Sequence, residues 1–294
     1  MRARRNTDPA TGRIAILVVN GFDRRGRWGH YNEAEALAYP WIDRCLRQIA
    51  RHSDAWDYEV FVYDNSHLQA LRHLMRGYAR VTVLPGDLVS ALGRIATKTP
   101  FQRVGLLERF HPRALDYLVS RVSGEFTYIV TLDTDSFPVS DSWLDVLTGE
   151  CERGAALSGV YRNEMAPTIR PFIHVSGLCV RPQDLRALRA TFGRQMAQDV
   201  GQNITDELCA AGRTIAPLYR SNRVNFHFLI GGIYGDVIYH HGAGSRRPEF
   251  WTTSDLDGDD LIHTTLREAA FADVDHLVAV LRGHAANDLG LKAI

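Results

Sequence analysis

Residues 14–19, Ile-Ala-Ile-Leu-Val-Val, form an unbroken apolar and largely β-branched run, and no other segment limits the fold so tightly. A strand with one wet face alternates polar and apolar residues, whereas a strand without polar residues needs cover on both faces. A sheet covered on both sides implies helical crossovers between parallel strands. The run stops at Asn20-Gly21, a turn signal that fixes where this strand ends.

The residues that follow repeat this logic. After Pro40, the residues Ile42, Cys45, Leu46 and Ile49 recur at the spacing of one helical face. Residues 58–63 return to strand chemistry and stop at Asp64-Asn65-Ser66, whose side chains favour turns and helix caps. Residues 80–84 predict a third strand, closed by Pro85-Gly86. Leu115, Leu118, Val119 and Val122 predict a helix, and residues 126–132 a fourth strand that runs into Asp133-Thr134-Asp135. This alternation predicts an α/β fold with a mostly parallel central sheet and helices on both faces.

The second half is less regular. Strands are expected at 176–180, 214–219 and 236–239, and helices at 182–188 and 204–211, the latter capped by Gly212. Val274, Leu277, Val278 and Leu281 lie on one face of a terminal amphipathic helix. The expected organisation is a flexible stretch over 1–13, one α/β domain over 14–250 and a helical C-terminal extension over 251–294.

Charge limits the partners. Lys and Arg total 34 against 34 Asp and Glu, so no overall field draws nucleic acid or an anionic membrane, and any anion site is local. The arginines among residues 1–13 precede no apolar stretch of secretory length, and no run approaches the roughly 20 apolar residues of a spanning helix. A cytoplasmic protein is expected, with peripheral contact to a membrane left open. Cys45, Cys151, Cys179 and Cys209 are scattered without metal-site spacing and are expected to be reduced thiols.

In an open parallel sheet, ligands bind beyond the carboxyl ends of the strands. Three polar turns fall there: Asn20-Gly21, Asp64-Asn65-Ser66 and Asp133-Thr134-Asp135. Two carboxylates one residue apart can offer hard oxygen ligands to a divalent ion while leaving positions for phosphate oxygens and water. The same residues also suit a simple capped turn. His240 and His241, followed by Gly-Ala-Gly, can add a nitrogen ligand, and strand alternation points them to opposite faces, so one of the two is expected to bind.

These segments, in this order, resemble the donor site of glycosyltransferase family 2, which has the GT-A fold. Residues 238–246, Ile-Tyr-His-His-Gly-Ala-Gly-Ser-Arg, are similar to the His/Gly segment that closes the metal and diphosphate site in such enzymes. The resemblance covers residues 14–247. It implies a nucleotide-sugar donor (UDP-, GDP- or dTDP-sugar), a saccharide or other hydroxyl acceptor, and Mn²⁺ or Mg²⁺. It also implies that Asn20 ends the first donor-site strand and that Asp64, with Asn65 nearby, contacts the nucleoside. Asp133 then lies toward the ribose, and Asp135 coordinates the metal.

Other residues keep two readings. Asp64 also suits a helix cap. Arg113 either reaches a phosphate or sugar hydroxyl or is a solvated first-turn residue. Arg246 and Arg247 either offset the departing diphosphate or form a basic turn. Trp251 is a candidate acceptor contact. For the base that deprotonates the acceptor, the candidates are Asp199 and Asp206, and a cleft-facing helix N-terminus favours Asp199. A nucleotidyltransferase and a non-catalytic nucleotide-sugar binder are the competing readings.

Overall fold

The computed structural model describes residues 12–21, 31–66, 68–86, 110–122, 124–163, 170–188, 190–192, 198–225, 227, 229–242, 244 and 259–291. Strand β1 (Ile14–Asn20) lies in the middle of the molecule. Its side chains alternate between two cores, as strand geometry requires. Ile14, Ile16 and Val18 pack into one cluster and Ala15 and Leu17 into the other, all fully buried.

On the first face lie α1 (Glu33–Ala38), α2 (Trp41–His52), α3 (Gln69–Arg76) and α5 (Trp143–Glu152). The expected stripe of α2, Ile42, Cys45, Leu46 and Ile49, is buried there. The C-terminal helices α8 (Asp259–Ala272) and α9 (Val274–Leu281) join the same core through Leu266, Leu277, Val280 and Leu281. The opposite face is covered by α4 (Phe110–Val122), α6 (Pro182–Leu188) and α7 (Gln202–Ala210).

The main sheet has the order β3-β2-β1-β4-β7-β6-β8. Its strands are β2 (Tyr58–Asp64), β3 (Val81–Pro85), β4 (Tyr128–Asp133), β6 (Leu157–Arg162), β7 (Phe172–Val180) and β8 (Ile215–Leu218) around β1. β1 to β4 are mutually parallel, β7 alone runs against its neighbours, and β8 is parallel to β6. The expected mostly parallel sheet with helices on both faces is therefore what the chain forms. From β1 the chain builds outward to β2 and β3, then returns to place β4 on the other side, so the topological switch point lies between β1 and β4.

A second sheet, β5-β10-β9, stands at the carboxyl end of β4. Its strands β5 (Ser136–Pro138), β9 (Gly232–Tyr234) and β10 (Ile238–His240) are too short for a period to show in sequence. The strand expected at 236–239 starts later because Asp236 takes φ 59 in the turn before it. β6 was also missed: Gly159 interrupts its apolar pattern at φ 147, where an added Cβ would stand 2.0 Å from the Gly177 carbonyl oxygen. Among the described residues no helix is long and apolar enough to cross a membrane.

Candidate active site

β4 ends at the switch point, and the turn after it puts Asp133 and Asp135 at its mouth. β5 leaves this turn and pairs with β10, with Ser136 opposite His240. That pairing draws the His/Gly segment onto the acidic turn: His241 N donates to the Asp135 carbonyl at 2.9 Å, and Gly244 N donates to Asp135 Oδ2 at 2.7 Å. Gly244 has to be glycine, since an added Cβ would stand 2.6 Å from Asp135 Cβ and 2.9 Å from the Trp41 ring.

Three histidines from three elements converge on Asp133. His111 of α4 places Nε2 at 3.4 Å from Asp133 Oδ1. His174 of β7 places Nδ1 at 3.7 Å from Oδ2, and His240 Nε2 lies 3.9 Å from that oxygen. His240 Nε2 is also 3.9 Å from Asp135 Oδ1, and its ring stacks on His174 with centroids 5.4 Å apart. One oxygen of Asp133 and one nitrogen each of His174 and His240 lie within 4.8 Å of one another. Across the site, Asp199 Oδ2 is 3.9 Å from His174 Nε2.

His174 reaches this point because β7 leaves its ladder. The β6 pairing shifts register between Gly159 and Tyr161, and the β4 pairing stops at Thr131 opposite Leu178. The freed backbone groups are satisfied by side chains, as buried polar groups must be. Thr131 Oγ1 donates to the Val175 carbonyl at 2.7 Å, and Ser136 Oγ donates to that of Ser176. Ser176 N donates to His174 Nδ1 at 3.1 Å, and Thr205 Oγ1 accepts from Ile173 N at 3.1 Å. An irregularity beside a functional site commonly re-aims a side chain in this way.

Crowding titratable groups into a dry corner shifts them. Burial holds Asp133 well above the ordinary carboxylate range, and the Asp199 charge adds to this while Arg162 opposes it. Burial raises Asp135 likewise, with Asp133 reinforcing. Burial pushes His111 down to about 4 and also lowers His174 and His240, so these rings are neutral near pH 7. A group that keeps carboxylates partly protonated and imidazoles neutral suits a divalent cation, whose charge would stabilise the carboxylates. Two ligands on one ion at ordinary bond lengths lie roughly 3–4.3 Å apart, and the separations of His240 Nε2 from Asp133 Oδ2 and from Asp135 Oδ1, 3.9 Å each, fall in that range.

The other expected site residues divide. Asp64 is fully buried, and its carboxylate accepts from Asn20 Nδ2 at 3.1 Å, Ser66 N at 3.0 Å and Arg72 Nε at 3.0 Å. Its donors among the described residues thus all come from the chain itself, as its alternative reading as a cap of the turn expects. Asn20 is spent in the same network. Asn65 Oδ1, by contrast, is a buried oxygen without a hydrogen-bond partner among the described residues. Arg113 is exposed on α4, and Arg246, Arg247 and Trp251 lie outside the described residues. Asp206 sits on α7 with Gln198 Nε2 donating to it at 3.3 Å, whereas Asp199, just before that helix, faces the histidines. His241 points away from the acidic pair: its ring lies 4.6 Å from those of Trp41 and His263, with Nδ1 3.0 Å from the Tyr239 hydroxyl.

Sequence reasoning missed His111, His174 and the buried Arg162. His174 is an isolated polar residue in the run Phe172-Ile-His-Val, a signal that was available once the strand was extended upstream of Ser176. His111 opens the helix before β4, a position where attention went to Arg113 instead.

No family model and no curated protein matches the chain. Solved structures with similar architecture include a mannosyltransferase from Pyrobaculum calidifontis in complex with GDP-Man and Mn²⁺, at 13% identity and a TM-score of 0.46, covering 70% of this chain and 54% of that one. Another is glucosyl-3-phosphoglycerate synthase from Mycobacterium tuberculosis in complex with Mn²⁺ and UDP-glucose, at 14% identity and 0.45, covering 71% and 70%. A third is 4-diphosphocytidyl-2C-methyl-D-erythritol synthase from Anaerococcus prevotii, at 9% identity and 0.42, covering 72% and 88%. The chain's match thus spans about half of the mannosyltransferase's length.

Proposed function

We propose that this protein is a metal-dependent, inverting glycosyltransferase that moves a sugar from a nucleotide diphosphate donor to an acceptor hydroxyl. The observation that carries the reading is the pair Asp133 and Asp135 at the switch-point end of β4, with His240 Nε2 3.9 Å from both and a third carboxylate, Asp199, on the far side of the histidines. Asp133, Asp135 and His240 would hold Mn²⁺ or Mg²⁺, which when bound neutralises the charge of a diphosphate leaving group. Arg162 adds fixed positive charge nearby, since it draws the Asp133 titration downward.

Asp199 supports the transfer half of the proposal. Its side chain is 32% exposed, and its Oδ1 is fixed by Val200 N at 2.8 Å. In the transfer it accepts the proton of the acceptor hydroxyl as that oxygen bonds to the anomeric carbon. The bond from that carbon to the diphosphate oxygen breaks, and the diphosphate leaves with the electron pair. Binding the donor holds the two reacting centres in line, and the buried walls exclude water that would otherwise compete as acceptor.

The test is a thermal-shift screen of UDP-, GDP- and dTDP-sugars with and without Mn²⁺. One sugar nucleotide at about 100 times its dissociation constant stabilises the fold by roughly 2.7 kcal/mol, and this stabilisation should vanish with chelator. Asp199→Asn should keep that shift while transfer falls by about 10²–10⁴-fold. Metal-independent binding of every nucleotide would sink the reading, and release of pyrophosphate rather than nucleoside diphosphate would turn it toward a nucleotidyltransferase.

A further inference from the structure

Two of the histidines beside Asp133 face acidic groups on different sides, and a single backbone hydrogen bond separates their roles. Ser176 N donates to His174 Nδ1 at 3.1 Å, and Ser176 Oγ lies 2.9 Å from the same nitrogen. A main-chain N–H can only donate, so Nδ1 has to present its lone pair. The ring proton of the neutral imidazole is then on Nε2, the nitrogen 3.9 Å from Asp199 Oδ2. Neither nitrogen of His174 is left as a ligand: the lone pair of Nδ1 is engaged, and Nε2 carries hydrogen. His240 is placed differently, with Nε2 equidistant at 3.9 Å from Asp133 Oδ2 and Asp135 Oδ1.

From this we infer that His174, although within ligand range of Asp133, is not a metal ligand but a positioning residue whose Nε2–H holds the Asp199 carboxylate. The metal is left to Asp133, Asp135 and His240. Asp199 is then gripped from both ends, with Val200 N on Oδ1 at 2.8 Å and His174 on Oδ2. The 3.9 Å gap exceeds a hydrogen bond, as is common for catalytic pairs that tighten only when substrate is bound. The irregular stretch of β7 is what sets the tautomer, because a regular ladder would have claimed the Ser176 N–H. His174 also stacks on His240 at 5.4 Å, which fixes the ring that divides base from metal.

The inference rests on the glycosyl-transfer reading for what Asp199 does, and its test separates the two. In full-length protein labelled with ¹⁵N-histidine, long-range ¹H–¹⁵N spectra, assigned with His174→Gln, should show His174 with bare Nδ1 and protonated Nε2. These signals should stay put when Mg²⁺ or Zn²⁺ is added, while the ring nitrogens of His240 shift. By calorimetry, His174→Gln and His174→Ala should keep Mn²⁺ affinity within about 3-fold of wild type, far from the roughly 10–100-fold cost of disturbing a metal's support. His174→Ala should lower kcat by about 10–100-fold with donor KM unchanged, and His174→Gln, whose amide N–H replaces Nε2–H, should recover most of the loss. A metal-induced shift of a His174 nitrogen, or an Mn²⁺ affinity lost in His174→Gln, overturns the inference. If His174→Ala does not fold, the wild-type spectra decide alone. Absence of any transfer by wild type would count against the proposed function, while the tautomer would still be read directly.

Discussion

His240 and His241 follow one another along the chain, yet the first looks onto two carboxylates and the second into a wall of rings. Around His240 lie Asp133, Asp135 and the stacked ring of His174. Around His241 lie Trp41, His263 and Tyr239, with the Tyr239 hydroxyl as its polar contact. Both side chains are at least nine-tenths buried and both titrate far below their ordinary range, chiefly through burial. A low pKa alone therefore does not mark a ligand; what distinguishes the two is whether an anionic partner waits for a cation. The His241 region holds the small sheet against α2 and α8, and the His240 region uses the rigidity this provides.

Substitution should break the pair apart. His240→Ala should weaken Mn²⁺ binding by more than about 100-fold by calorimetry, beyond the roughly 10–100-fold loss expected from a merely supporting residue, with little change in melting temperature. An unchanged affinity would remove His240 from the metal site. His241→Ala should do the reverse. Truncating a fully buried ring costs about 3 kcal/mol, which at this chain length lowers the melting temperature by roughly 6–12 °C, while Mn²⁺ affinity stays within a small factor. If the two variants behave alike, the division between the regions fails.

A smaller change tests how the regions are joined. Gly244 touches both, donating to Asp135 Oδ2 and accepting from Trp41 Nε1 at 2.7 Å. Gly244→Ala should cost about 1–3 kcal/mol through overpacking and weaken Mn²⁺ binding by about 10-fold, the only one of these variants expected to show both effects. Retention of wild-type affinity would show that the loop can move without disturbing Asp135.

The mildest probe is pH. Asp133 and Asp135 have folded-state titrations raised above their unfolded values. Their contribution to stability is present at pH below the ordinary carboxylate range and is lost as pH rises through the raised range. A cation relieves that loss, so Mn²⁺ should raise the melting temperature more at about pH 8 than at about pH 5.5. An equal shift at the two pH values would argue that these carboxylates are not what the ion meets. His111, held near 4, should contribute no step in this window.

Much of the fold was legible in sequence where burial writes a period. The run at 14–19 foretold β1 and its two-sided cover, the spacing of Ile42, Cys45, Leu46 and Ile49 foretold α2, and the residues 182–188 foretold α6. The four-strand parallel order, and with it Asp133 and Asp135 at the end of β4, followed from alternation. Three-residue strands carry little such signal: β5 and β9 were set by pairing with β10, and β10 itself was anticipated only in part, by the strand expected at 236–239.

Local chemistry thus determined which elements exist and which acidic turns end them, because a strand or helix writes its own burial pattern in adjacent residues. Tertiary structure alone decided which side chains meet. His111, His174 and His240 come from α4, β7 and β10 and approach one another only because β7 runs antiparallel beside β4 and the small sheet folds over its end. It also decided that Asp64 serves Arg72 and Ser66 and that His241 belongs to the core. Contacts between residues far apart in sequence are chosen by packing, and packing is a property of the whole chain rather than of any segment.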